Sequence, residues 1–123
     1  MGFTDNFVNC ITGKTLPPEL ARLMPSPTTA LSFAAKLVKG ATVEEALLAI
    51  GVAAPVAAEV AELVADIAVA VIVAAVVGCA GSAIKAESGS LGAVLAQMDS
   101  SDQDALQSPL ADAGFTDADT AAA

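Results

Sequence analysis

Glu59, Glu62 and Asp66 are the side chains whose spacing first invites a chemical reading, because at i, i+3 and i+7 they share one face of a helix. Three carboxylates so placed suit a divalent cation or the mouth of a cation pore. The same spacing describes the solvated stripe of an amphipathic half-helix, and the apolar residues around it favour that reading. Glu44 and Glu45 are adjacent, point to different helix faces and form no acid–base dyad. The chain has no His, which excludes Ser-His-Asp and Cys-His nucleophiles and His-ligated metal sites. Cys10 and Cys79 show no CxxC spacing, and a disulfide scaffold in so short a chain normally carries four or more cysteines. Two reduced thiols are therefore expected, Cys79 acting as a small buried residue. The run GCAGSAIK at 78–85 lacks the spacing of a phosphate loop. These residues predict no enzyme, no metal site and no cofactor.

The elements that must position these groups read as helices throughout. Of 123 residues, 55% are hydrophobic and only 3% aromatic, with 29 Ala and 13 Val. The formal charge is −9, which excludes nucleic-acid binding through a basic patch. Ser26-Pro27 is a helix start, Ser as N-cap and Pro at the first helical position. Leu31, Phe33, Ala34, Leu37 and Val38 follow at helical spacing, and Gly40 suits the left-handed position that ends the helix. Thr42 and Glu45 make a capping box for a helix ending at Gly51. Pro55 then fits the first turn of one long helix reaching Lys85 or Glu87, and short helices are expected over 4–11, 17–24 and 90–98.

The central segment carries most of the functional information. Ile67 to Ile84 is an 18-residue run without a charge, bounded by Asp66 and Lys85. As a helix it would be roughly 27 Å long, close to the hydrocarbon thickness of a bilayer. Its eight Ile and Val residues supply roughly −2.4 to −4.8 kcal/mol on the insertion scale, a favourable but marginal sum. Asp66 and Lys85 would then mark the membrane boundary. Ala70, Ala74, Gly78 and Ser82 recur at four-residue spacing, with Ala75, Cys79 and Ala83 beside them. Such small ridges let helix backbones approach closely and predict helix–helix packing. A second uncharged stretch, 46–58, is too short to span and is interrupted by Gly51 and Pro55. It would lie at the interface, dip in as a re-entrant piece, or, as the plain option, pack on the long helix; together the two stretches would form a helical hairpin with Glu59 to Asp66 as its acidic connection.

Charge is distributed in blocks: net +2 over 1–39, −4 over 40–85 and −7 over 86–123. Three regions follow. Residues 1–40 hold short helices, 41–98 a hydrophobic helical core or membrane-inserting region, and 99–123 an acidic flexible tail of solvated, disordered composition. The N-terminus has no basic stretch followed by an apolar one, so no cleavable signal peptide is expected.

The fold class expected is all-α, a small protein with one long hydrophobic helix, a possible helical hairpin and a disordered acidic tail. The Ala/Val/Gly-rich stretch over 46–86 is similar in composition, though not in any diagnostic motif, to pore-forming bacteriocins and hydrophobic-hairpin toxins. That resemblance implies a membrane-localised, bacterial toxin-like or effector-like protein that oligomerises and permeabilises a bilayer. Its partners would be lipid, further copies of itself, and a chaperone or immunity protein that covers the helix before delivery. The alternative is a soluble Ala-rich structural protein that buries the same helix in a homo-oligomer or filament.

Overall fold

The computed structural model describes residues 2–87 and 90–115, and every described regular element is helical. In chain order these are α1 (Phe3–Gly13), α2 (Pro18–Arg22), α3 (Pro27–Val38), α4 (Val43–Ala49), α5 (Ala54–Leu63), α6 (Val69–Ala86), α7 (Leu91–Leu95) and α8 (Ser100–Asp112). The apolar helix α6 lies at the centre, packed principally against α3 and α1 and also against α8 and α7. A second line of contacts runs outward from α3 to α4 and from α4 to α5.

Local chemistry sets most helix boundaries. The Ser26 hydroxyl accepts a hydrogen bond from the Thr29 N–H at 3.2 Å and caps α3. Both halves of the capping box opening α4 are formed: Glu45 N–H donates to the Thr42 hydroxyl at 3.1 Å, and Thr42 N–H donates to the Glu45 carboxylate at 2.9 Å. The Thr42 backbone N–H, and after it the Thr42 hydroxyl, hold the Glu45 carboxyl below its usual range. Four helices end in one way, with a residue of positive φ followed by an N–H that reaches back five residues. Ala41 bonds Lys36, Val52 bonds Leu47 and Phe115 bonds Leu110, each after a glycine. Leu16 bonds Ile11 at the end of α1, but there the left-handed position holds Thr15, at φ 64°.

The core is built from i, i+4 rows. Phe3, Phe7 and Ile11 bury one face of α1, the first two with stacked rings 5.3 Å apart. Leu31, Phe33, Ala34, Ala35 and Leu37 bury α3, and Ile72, Val73, Val76, Val77 and Ala80 bury the facing side of α6. Small residues bring the helices close. A Cβ at Gly81 would overlap the Cζ end of the ring of Phe115, which follows α8.

Four expectations are corrected. The single helix from Pro55 to Lys85 is two, because the chain turns at residues 64–68. An unbroken helix over 54–86 would be roughly 50 Å long, whereas a bundle of this size is about 35 Å across. The turn lets Ala57, Val60 and Val64 be buried on the α4 side while Ile72 and Val76 enter the centre. For the same reason there is no hairpin with Glu59 to Asp66 as its connection: Glu59 and Glu62 lie on α5, whose main partner is α4. The region expected as an acidic flexible tail, 99–123, is helical over most of its described part. Ser100–Asp112 is a helix that buries Asp102, Leu106 and Leu110, four residues apart, against α3 and α6. The tail residues 116–123 lie outside the described residues.

The fourth correction concerns the thiols. Cys10 and Cys79 are joined in a disulfide linking α1 to α6, with Cα atoms 5.5 Å apart. Sequence distance gave no hint of this, since α1 and α6 become neighbours only once the bundle is assembled. Buried Ala75 and Ala83, one turn to either side of Cys79, leave the room for that approach.

Candidate functional site

The two ridges of small residues on α6 have opposite fates. Ala75, Cys79 and Ala83 are buried inside the bundle. Ala70, Ala74 and Ser82 are exposed and Gly78 is half-buried, so the ridge expected to pack helices lies on the open face of α6. A Cβ added at Gly78 would meet nothing within 4 Å. Val69 and Val71 extend the open face toward the N-terminus of α6, 44% and 53% exposed. An isolated exposed valine needs no explanation, but two beside an uninterrupted small-residue ridge form a continuous apolar strip.

This strip borders a groove of about 430 Å³ between α3, α6 and α8. Leu37 and Val38 form one wall, Val69, Ala70, Val73 and Ala74 the floor, and Ser108, Pro109, Asp112 and Ala113 the other wall. Pro109 stands inside α8, where its ring presents apolar surface and it donates no backbone hydrogen bond. Apart from Ser108 and Asp112, the lining is apolar. The arrangement offers dispersion contact and desolvation to an apolar partner.

α6 itself carries one charge, Lys85, in its last turn. With a mean hydropathy of 2.1 over 18 residues it is long and apolar enough to cross a membrane, and 56% of it is buried inside the fold. Asp66 is exposed in the turn three residues before α6. Lys85 is exposed at the other end, its Nζ 5.4 Å from the centre of the Phe115 ring. The two charges thus bracket the apolar helix. The acidic stripe is only partly held together: Glu59 and Glu62 are exposed on one face of α5, while Asp66 falls beyond its end. Among the described residues, no three His, Cys, Asp or Glu side chains are placed to hold a metal ion.

One ionic cluster was missed by sequence reasoning. Asp102, 4% exposed, receives hydrogen bonds from Lys39 and, at 3.4 Å, from Lys36. Lys39 also donates to the Ser101 hydroxyl at 2.9 Å. Burial pushes the Asp102 carboxyl upward, but the hydrogen bond from Lys39 and the charges of both lysines outweigh it and hold the group below 3.8. The signal was present in the register Asp102, Leu106, Leu110, which places the carboxylate on the buried face of α8, opposite the lysines at the end of α3. The cluster pins α8 to α3 and so fixes one wall of the groove.

No family model matches the chain. Nor does any curated protein or solved structure match it significantly. The functional reading therefore rests on the geometry of α6 and the groove beside it.

Proposed function

We propose that this chain is a non-enzymatic, membrane-directed helical protein that folds in water with α6 sheltered and then inserts that helix into a bilayer, where it self-associates and permeabilises. One observation carries the reading. The helix with the length and hydropathy of a membrane span already presents its small-residue ridge, Ala70, Ala74, Gly78 and Ser82, on the open face of the folded bundle. In lipid that ridge is the surface on which copies of α6 would pack.

The energetics suit a protein that changes environment. The insertion gain from the Ile and Val content, roughly −2.4 to −4.8 kcal/mol, lies below the stability of an ordinary small domain, about 5–15 kcal/mol. The folded bundle is thus the resting form in water, and insertion follows once the bundle is loosened. A chaperone or immunity partner would act on the same balance by covering the Val69–Val71 strip. The disulfide favours a chain that matures in, or passes through, an oxidising compartment, in keeping with a secreted effector.

A second reading has its own support. Ten residues of α6 are already buried in this bundle, which suits a soluble protein whose strip and groove pair it with another copy. Flotation with phosphatidylcholine vesicles separates the two, using membrane potential as a second readout. Under the membrane reading the protein floats, resists carbonate extraction and dissipates a potassium gradient. Protein that stays in the aqueous fraction as a defined oligomer, with the gradient intact, would replace that reading with the structural one.

A further inference from the structure

We propose that the Cys10–Cys79 disulfide is a redox latch that prevents α6 from crossing a bilayer until it is reduced. The proposal rests on the membrane reading above and adds its control. Cys79 lies ten residues beyond Val69 and seven before Ala86, about 15 Å and 10 Å from the two ends of the helix. In a spanning α6 its sulfur sits near the bilayer midplane. While the disulfide holds, Cys10 must sit there too, and it lies within α1 rather than on a free end. Asn6, Asn9 and Thr12 lie within about one turn of Cys10, and Lys14 and Asp5 follow at four and five residues. Asp5, Asn9, Thr12 and Lys14 are exposed to water in the folded chain. Bringing one such charge to the midplane lowers partition on the order of 100-fold. The α1 helix also cannot leave by sliding out, because its tether is fixed at the centre of the span.

Reduction removes that obstacle. A dithiol supplies two electrons: one thiolate attacks sulfur, a mixed disulfide forms as the S–S bond breaks, and the second thiol resolves it. The products are two protein thiols and a cyclic disulfide of the reductant. Cys10 is the partly exposed partner and Cys79 is fully buried. Attack therefore falls on the Cys10 sulfur, with the Cys79 sulfur as leaving group. The freed Cys79 is a small apolar residue that α6 carries into lipid without a polar helix attached.

The test is flotation with phosphatidylcholine vesicles of four full-length proteins: oxidised chain, chain reduced with dithiothreitol, the Cys10→Ala/Cys79→Ala variant, and oxidised Leu106→Ala. The last loosens the bundle by removing a fully buried side chain of α8 while leaving the latch closed. Carbonate-resistant lipid association at least about 10-fold higher for the reduced and double-alanine proteins than for both oxidised ones is the expected result. Equal insertion of the oxidised and reduced chains would overturn the latch and leave the membrane reading standing. Insertion of oxidised Leu106→Ala to the level of the reduced chain would also overturn it, by showing that loss of stability alone opens the bundle. Failure of all four to associate would overturn the membrane reading and the latch together.

Discussion

At residue scale, Thr15 is the one described non-glycine residue held at positive φ, in a closure that glycine occupies at three other helix ends. An L side chain there costs about 1–2 kcal/mol relative to the ordinary region, and glycine's extra freedom in the unfolded chain returns part of that. Thr15→Gly is expected to stabilise the fold by about 0.5–1 kcal/mol in urea denaturation. Asp102 works in the opposite sense. Its folded value is depressed, so its contribution is fully present above 3.8 and is lost as pH falls through the lower folded value. Asp102→Asn should cost about 1–2 kcal/mol at neutral pH, at the low end for charged hydrogen bonds because both lysines keep access to water. The loss should shrink below pH 3.8, as the carboxyl of the unfolded chain protonates first and that of the folded protein follows at lower pH; an unchanged difference across that range would count against the assignment. Thr42, Glu45, Ser26, Gly40 and Gly51 were legible in the sequence because each acts within a few residues of itself. The Lys36–Lys39–Asp102 cluster was not, since its partners are more than 60 residues apart.

At the scale of elements, α6 is a helix with two different apolar faces, and substitutions should separate them. Gly78 has helical backbone and open space where a side chain would go. Gly78→Ala should therefore leave the monomer folded and stabilise α6 by up to about 1 kcal/mol. Gly78→Ile and Ala74→Ile fill the ridge instead, and are expected to weaken self-association while the circular dichroism of the monomer is retained. Unchanged oligomer size in both would remove the ridge from consideration. The existence and polarity of α6 were readable from its uncharged run, but its start was not. No Gly or Pro marks residues 64–68; what turns the chain is the need to bury Val64 and Ile72 in one small body. Similarly, α8 was hidden by its composition. Seven acidic residues and no basic one over 86–123 outweighed two leucines whose four-residue spacing was the relevant fact.

At the scale of the whole molecule, the disulfide spans a sequence separation of 69, for which loop-closure entropy predicts about 4 kcal/mol of stabilisation. Dithiothreitol should lower the unfolding free energy measured in urea by that order, and the Cys10→Ala/Cys79→Ala variant should reproduce the loss without reductant. The all-helical class was fully legible, because every local pattern agreed with it. The arrangement of the helices was not, because it depends on which ridges of α1, α3 and α8 meet α6, and Ala-rich surfaces leave many pairings open at sequence level. The folded molecule solves that problem covalently as well as by packing.

The Cys10–Cys79 link also closes a ring around α2, α3, α4 and α5, leaving residues 1–9 and 80–123, with α7 and α8, outside it. A protease that cuts once within the ring, for example between α4 and α5, where Gly51 and Ala53 are exposed, produces two pieces that remain one covalent molecule. On a non-reducing gel the nicked protein should run as a single species of full mass, and it should separate into two fragments only when thiol is added.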